Sequence, residues 1–117
     1  MHTFCQGSPL TYYILEADGN VRKQLLGPVT SESAPLMVTS STEAKGALLE
    51  AGEYCLLTEV VAAGFCVSDV EMVTLPQLKS ICKDWESCAN LLCPVKSEDG
   101  FVAAKELYSD EQFYKGV

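Results

Sequence analysis

The sequence predicts a mainly β domain, a barrel or sandwich of strands closed by one or two C-terminal helices. Three observations carry this reading. Residues 10–26 spell a hairpin, residues 54–73 spell two further strands, and at Thr74 the apolar spacing changes from the period of a strand to that of a helix. A chain of 117 residues, 48% hydrophobic and 21% charged, fits one globular domain.

Taken in order, Leu10 to Glu16 (LTYYILE) is rich in β-branched and aromatic side chains, which pack well on a pleated surface. Asp18-Gly19-Asn20 supplies turn chemistry, Val21 to Leu26 returns, and Gly27-Pro28 closes the hairpin. A polar loop over 29–34 leads to a short strand at 36–39. Residues 44–50 fit either a strand or one or two helical turns. Gly52-Glu53 introduces a strand over 54–62 (YCLLTEVVA), and Gly64 a second over 65–73 (FCVSDVEMV). In the latter neither face is purely apolar, as in a barrel wall with a partly polar interior. Thr74-Leu75-Pro76-Gln77 then reads as a helix start with a capping-box spelling. Leu75, Leu78 and Ile81 follow at helical spacing. Residues 84–92 suit a second helix with Trp85, Ala89 and Leu92 on one stripe, which Pro94 ends.

Composition excludes several classes. Eight basic residues against sixteen acidic ones give a formal charge of −8, so a polyanion meets repulsion and nucleic-acid binding is not expected. The apolar runs, such as 60–65, fall far short of the roughly 20 residues that span a bilayer. The first seven residues lack the basic and apolar regions of a secretion signal, so the expectation is a cytoplasmic protein with no membrane partner. Six cysteines, at 5, 55, 66, 82, 88 and 93, include no C-x-x-C pair and stand beside a single histidine. They read as reduced, small hydrophobic side chains rather than a disulfide or zinc framework.

At residues 61–72 (VAAGFCVSDVEM) the chain resembles the V-A-P-G-F-x-F-x-D-F-E-L signature of a small cupin family of the RmlC-like type, whose reaction is unassigned. Gly7-Ser8-Pro9-Leu10 resembles that family's G-x-P-L, and the Asp18-Gly19 turn, Leu26-Gly27 and the Leu75–Leu78 helix follow in the family's order. The likeness covers residues 2–82. It implies a cupin-like jelly-roll barrel with an interior pocket, commonly packed as a homodimer, followed by a C-terminal extension over 83–117. Aligned this way, the chain starts near the family's W-H segment, which implies a barrel without its first strands. His2 falls at the tryptophan, Thr3 at the histidine, and Thr39–Lys45 corresponds to P-A-G-x-W-Q-A, with Glu43 and Ala44 at the aromatic and amide positions.

Metal chemistry in cupins needs about three histidines and a carboxylate converging on one ion, and this chain has one histidine. No metal and no cofactor is expected. The candidate ligand-binding residues are His2, Tyr13, Glu43, Glu59, Asp69 and Glu71. Asp69 and Glu71, two apart on one strand, are read either as paired interior carboxylates or as a solvated face. His2 is the sole candidate base for a metal-free sugar epimerase, with Tyr12 or Tyr13 as acid. Against that stands a frayed terminal histidine beside two packing tyrosines. The functions expected are a module binding a small polar ligand or a protein partner without metal catalysis, a metal-free isomerase or epimerase, or a structural dimer. Such a dimer is expected to have the partner, or Trp85, Phe101 and Phe113, cover an open sheet edge.

Overall fold

A computed structural model describes residues 1–64, 66, 69–93 and the backbone of 102–103. The hairpin forms where its turn chemistry directs. β2 (Leu10–Leu15) pairs antiparallel with β3 (Val21–Leu26), preceded in the chain by β1 (His2–Gly7). At the turn the Asn20 amide donates to Asp18 Oδ1 at 2.9 Å, and Gly19 takes φ +83°. Glycine is needed there twice over, because a Cβ would also collide with the Ile81 carbonyl oxygen.

After the hairpin come β4 (Ser33–Ala34), β5 (Leu36–Met37), β6 (Ala44–Leu48) and β7 (Cys55–Glu59). They complete two sheets, ordered β5-β1-β7 and β4-β3-β2-β6. Residues 44–50, open between strand and helix in the sequence, thus contain a strand. The terminus expected to fray is the middle strand of its sheet, with His2 opposite both Met37 and Glu59. Backbone pairing on two sides holds it, and sequence pattern alone does not reveal such long-range partners.

The sheets face each other. Tyr12, Ile14, Leu26 and Met37 fill the space between them, with Phe4, Leu10 and Leu57 alongside. Ile14 and Leu26 are fully buried, each stabilising the fold by about 2 kcal/mol. Along β1 the alternation is interrupted once. Phe4 pairs Leu57 and Gln6 pairs Leu56, so Cys5 is the extra residue of a bulge.

The other face of β2 is covered by helices. α1 (Leu75–Ile81) starts at the expected cap. The buried Thr74 donates its amide (3.0 Å) and its hydroxyl (2.8 Å) to Gln77 Oε1. α2 (Trp85–Leu92) buries Cys88 and Leu92. Together with Leu15, Leu78 and Cys82 these form a second core, flanked by Val21, Ala44, Trp85 and Ala89. The close approach of α2 to the sheet depends on Gly46, where a Cβ would collide with the Leu91 carbonyl. Cys82 and Cys88 therefore behave as small core hydrophobes, while Cys5 and Cys66 are exposed.

The single strand expected over 65–73 is not what its described residues form. Asp69 sits in a tight turn, its amide donating to the Cys66 carbonyl at 3.0 Å. Glu71 lies in β8 (Glu71–Met72), which pairs β9 (Val102–Ala103) in a separate two-stranded sheet. A run with acids on one face and no continuous apolar stripe on the other buries too little to hold a barrel wall. Residues 65, 67, 68, 101 and 113, which carry part of that expected strand and of the expected edge cover, lie outside the described residues. No described helix is long and apolar enough to cross a membrane.

Candidate functional site

One end of the space between the sheets is polar. β1 carries His2, β2 Tyr12, β6 Lys45 and β7 Glu59, and Thr39 joins from the segment before β6. Strand register explains the convergence. His2 lies opposite Glu59, while Lys45 lies opposite the buried Ile14 and so shares its inward face. His2 is 2% exposed and its ring stands 5.1 Å from that of Tyr12.

The Lys45 ammonium organises the group. Its three protons have three acceptors: His2 Nε2 at 2.9 Å, Thr39 Oγ1 at 3.4 Å and Glu59 Oε1 at 3.4 Å. An ammonium only donates, so His2 Nε2 must be unprotonated. The imidazole proton is thereby assigned to Nδ1, which faces the Tyr12 hydroxyl at 3.4 Å. Electrostatics agree with a neutral ring. Burial, and then the Lys45 charge, push the His2 pKa below its ordinary value, while Glu59 opposes them. Burial, then Glu59 and Cys55, push the Tyr12 phenol above its ordinary value, so it stays protonated. The layers differ in access. His2 and Tyr12 lie beneath, whereas the Lys45 and Glu59 side chains are 32% and 46% exposed.

A second polar group flanks the same strand. Ile14 has Lys45 on one side and Arg22 on the other. Arg22 Nε donates to Glu16 Oε1 at 3.0 Å. Two cations, each balanced by a carboxylate, thus line the inward face about 10 Å apart across β2.

Of the residues singled out in the sequence, His2, Tyr12 and Glu59 come together. Tyr13 does not, since β2 turns it to the face opposite Tyr12. Its hydroxyl donates to Glu50 Oε1 at 2.8 Å and the Lys23 ammonium lies 5.0 Å from its ring centre. Glu43 accepts the Ser40 amide at 2.8 Å and serves the turn before β6. Asp69 and Glu71 are exposed and lie on neither main sheet. Lys45, Thr39 and Arg22 were not among the sequence candidates. The resemblance had pointed to the stretch over 39–45, but it drew attention to Glu43 rather than to the next inward residue.

This donor set does not fit the metal of a catalytic cupin. The only imidazole turns its unprotonated nitrogen onto an ammonium, a position no cation can share. Among the described residues, no three His, Cys, Asp or Glu side chains converge.

Comparison with family models gives a match over residues 1–73 to the family described as Cupin superfamily (DUF985). The matched stretch ends at Val73, immediately before the cap of α1, so it contains both main sheets and leaves the two helices outside. Comparison with curated proteins and with solved structures gives no match. The match spans more than half of the 117 residues, and the chain belongs to the cupin superfamily, in its DUF985 family.

Proposed function

We propose that the chain is a cupin-fold binding module that takes a small, uncharged, hydroxyl-rich molecule at the polar end of the space between the sheets. The observation that carries this is the Lys45 hub. A half-exposed ammonium and carboxylate stand over a buried histidine and tyrosine, with Arg22 and Glu16 beyond Ile14. Donors and acceptors are balanced in number and charge, which suits hydroxyl groups that both give and accept protons better than it suits an anion or a cation. A cytoplasmic setting is consistent with Cys82 and Cys88 lying together as thiols in the helix layer.

Base catalysis by His2, the epimerase reading, has less support. Both ring nitrogens already face protein groups, and the ring is buried beneath Lys45. A general base must reach the proton it removes. If a substrate is found whose turnover survives His2→Ala, that mechanism is excluded.

Thermal-shift measurements on the wild type and Lys45→Met against neutral sugars, nucleotide sugars and organic acids test the binding reading. The expected result is a rise in melting temperature with a neutral polyol, lost in Lys45→Met. Stabilisation by organic acids alone would replace the ligand class. No stabilisation by any of these would end the small-ligand reading and leave a protein partner.

A further inference from the structure

The tautomer of His2 decides where its next proton can go. Nδ1 already holds one, facing the Tyr12 hydroxyl, so a second must arrive at Nε2, the nitrogen that accepts from Lys45 at 2.9 Å. Imidazolium and ammonium are both donors and both positive, so they cannot share that contact. Passing a proton from Lys45 to the ring does not relieve the conflict. A lysine amine is ordinarily about four pH units more basic than an imidazole and keeps its own proton. One of the two groups must leave. His2 is buried in the middle strand of its sheet, whereas Lys45 lies on the edge strand β6, is 32% exposed, and has its other two contacts at 3.4 Å. The ammonium is the group free to go.

A replacement acceptor already stands beside the ring. Glu59 Oε1 is 3.5 Å from His2 Nε2 and 3.4 Å from Lys45 Nζ, so one carboxylate oxygen faces both nitrogens. We propose that protonation of His2 exchanges the partner of Glu59, from the Lys45 ammonium to the imidazolium, and releases Lys45 to solvent. Charge at the site stays balanced in both states, as Lys45 with Glu59 before the exchange and His2 with Glu59 after it. The other groups around the ring leave this route open. Tyr12 on β2 faces Nδ1 and stays protonated, and Cys55 on β7 acts on Tyr12. The Met1 ammonium opposes charge on the ring but donates to the Val60 carbonyl at 2.8 Å, and β5 presents only the uncharged Met37. Losing Lys45 strips the site of the cation a neutral polyol would use, so the ligand held above the His2 titration is let go below it. That last step rests on the binding reading; the exchange itself does not.

NMR of the wild type from about pH 7.5 to about pH 4.5, a span that brackets ordinary histidine titration, reads both the ring nitrogens and the Lys45 ε-protons. The expected result is proton uptake at Nε2 with Nδ1 unchanged. In the same transition the two Lys45 ε-proton signals, distinct while the side chain is held, should merge. Glu59 raises the His2 pKa, so in Glu59→Gln, at a 46% exposed position, both transitions are expected to move together to lower pH. His2→Gln should abolish the Lys45 transition. Lys45 signals that stay fixed while His2 titrates would overturn the inference. So would a Lys45 transition that is lost in Glu59→Gln or persists in His2→Gln, or acid unfolding before the ring titrates. A polyol that stabilises at the upper pH is expected to lose its effect below the His2 titration, and one that keeps it would overturn the release step. If no polyol stabilises at any pH the binding reading fails, and the Lys45 signals still decide the exchange.

Discussion

Tyr12 and Tyr13 are adjacent, equally buried, and belong to different parts of the molecule. Tyr12 faces the space between the sheets, beside the histidine and beneath the Lys45 hub. Tyr13 faces the side of β2 that carries Leu15, toward the helices, and its hydroxyl meets Glu50. The helix layer is apolar apart from the buried Thr74 cap of α1, and its core is Leu15, Leu78, Leu92 and two thiols. The space between the sheets is apolar at its centre and polar at one end, where every buried side-chain polar atom has a partner. One strand thus separates an apolar packing layer from a space that also carries polar groups. The period of two along a strand makes the division, and a single residue decides which side a hydroxyl serves.

The strongest way to break this comparison is Leu78→Ala. Leu78 is fully buried in the helix layer, and its truncation is expected to cost about 3 kcal/mol in denaturant unfolding. The NMR signals of the His2 ring should stay where they are. If they move, the two regions are not independent.

Lys45→Met probes the other region and is expected to cost about 1 kcal/mol, since a charge-assisted hydrogen bond to His2 is lost at a partly exposed position. It also removes a cation that holds the His2 pKa down, so the ring should titrate at higher pH than in the wild type, as read by NMR.

A smaller effect separates the regions by pH. His2 is the only histidine, and its folded pKa lies below the ordinary value of 6.5. Well above pH 6.5 both folded and unfolded chains hold it neutral. As pH falls through 6.5 the unfolded chain takes up the proton first, so stability declines with falling pH until the folded ring also titrates. Melting temperatures are expected to drop between pH 7.5 and 5.5 in the wild type, and the drop should shrink in His2→Gln.

The smallest effect is expected in a loop that belongs to neither region. Ala63 has φ +65° in a turn closed by the Gly64 amide on the Val61 carbonyl at 3.3 Å. A left-handed alanine is strained where glycine is not, so Ala63→Gly is expected to stabilise by about 0.5 kcal/mol after the extra backbone entropy of glycine is counted. The cupin-like signature has proline at this place, and proline cannot adopt this φ. The local turn therefore departs from that signature as well as the residue.

What could be read in advance follows from sequence distance. The hairpin and α1 were legible because their signals are local: Asp18-Gly19-Asn20 sits between the strands it joins, and Gln77 is three residues from the Thr74 it caps. α2 was legible from its apolar stripe. The site was legible only in part. His2 stood out as the single histidine and Glu59 was one of several candidate carboxylates, whereas Lys45 looked like any solvated lysine, because its partner in β1 lies 43 residues away. Nothing local showed that β1 would be a central strand or that Lys45 would share the inward face of Ile14. The run over 65–73 alternates like a strand, but alternation alone does not say what covers either face, and its described residues form a turn at Asp69 and a two-residue strand at Glu71–Met72 instead.

The bulge in β1 bears on what holds the histidine inside. Six residues of β1 stand against five of β7, and the extra one, Cys5, is absorbed without disturbing its neighbours. His2 and Phe4 face inward opposite Glu59 and Leu57, and Gln6 pairs the next residue, Leu56, so the two halves of the strand remain in step with the partner. Excising Cys5 would therefore leave each of these pairs in place, whereas excising Thr3 would turn the imidazole out to solvent. Register against β7, rather than the thiol, is what keeps the histidine inside.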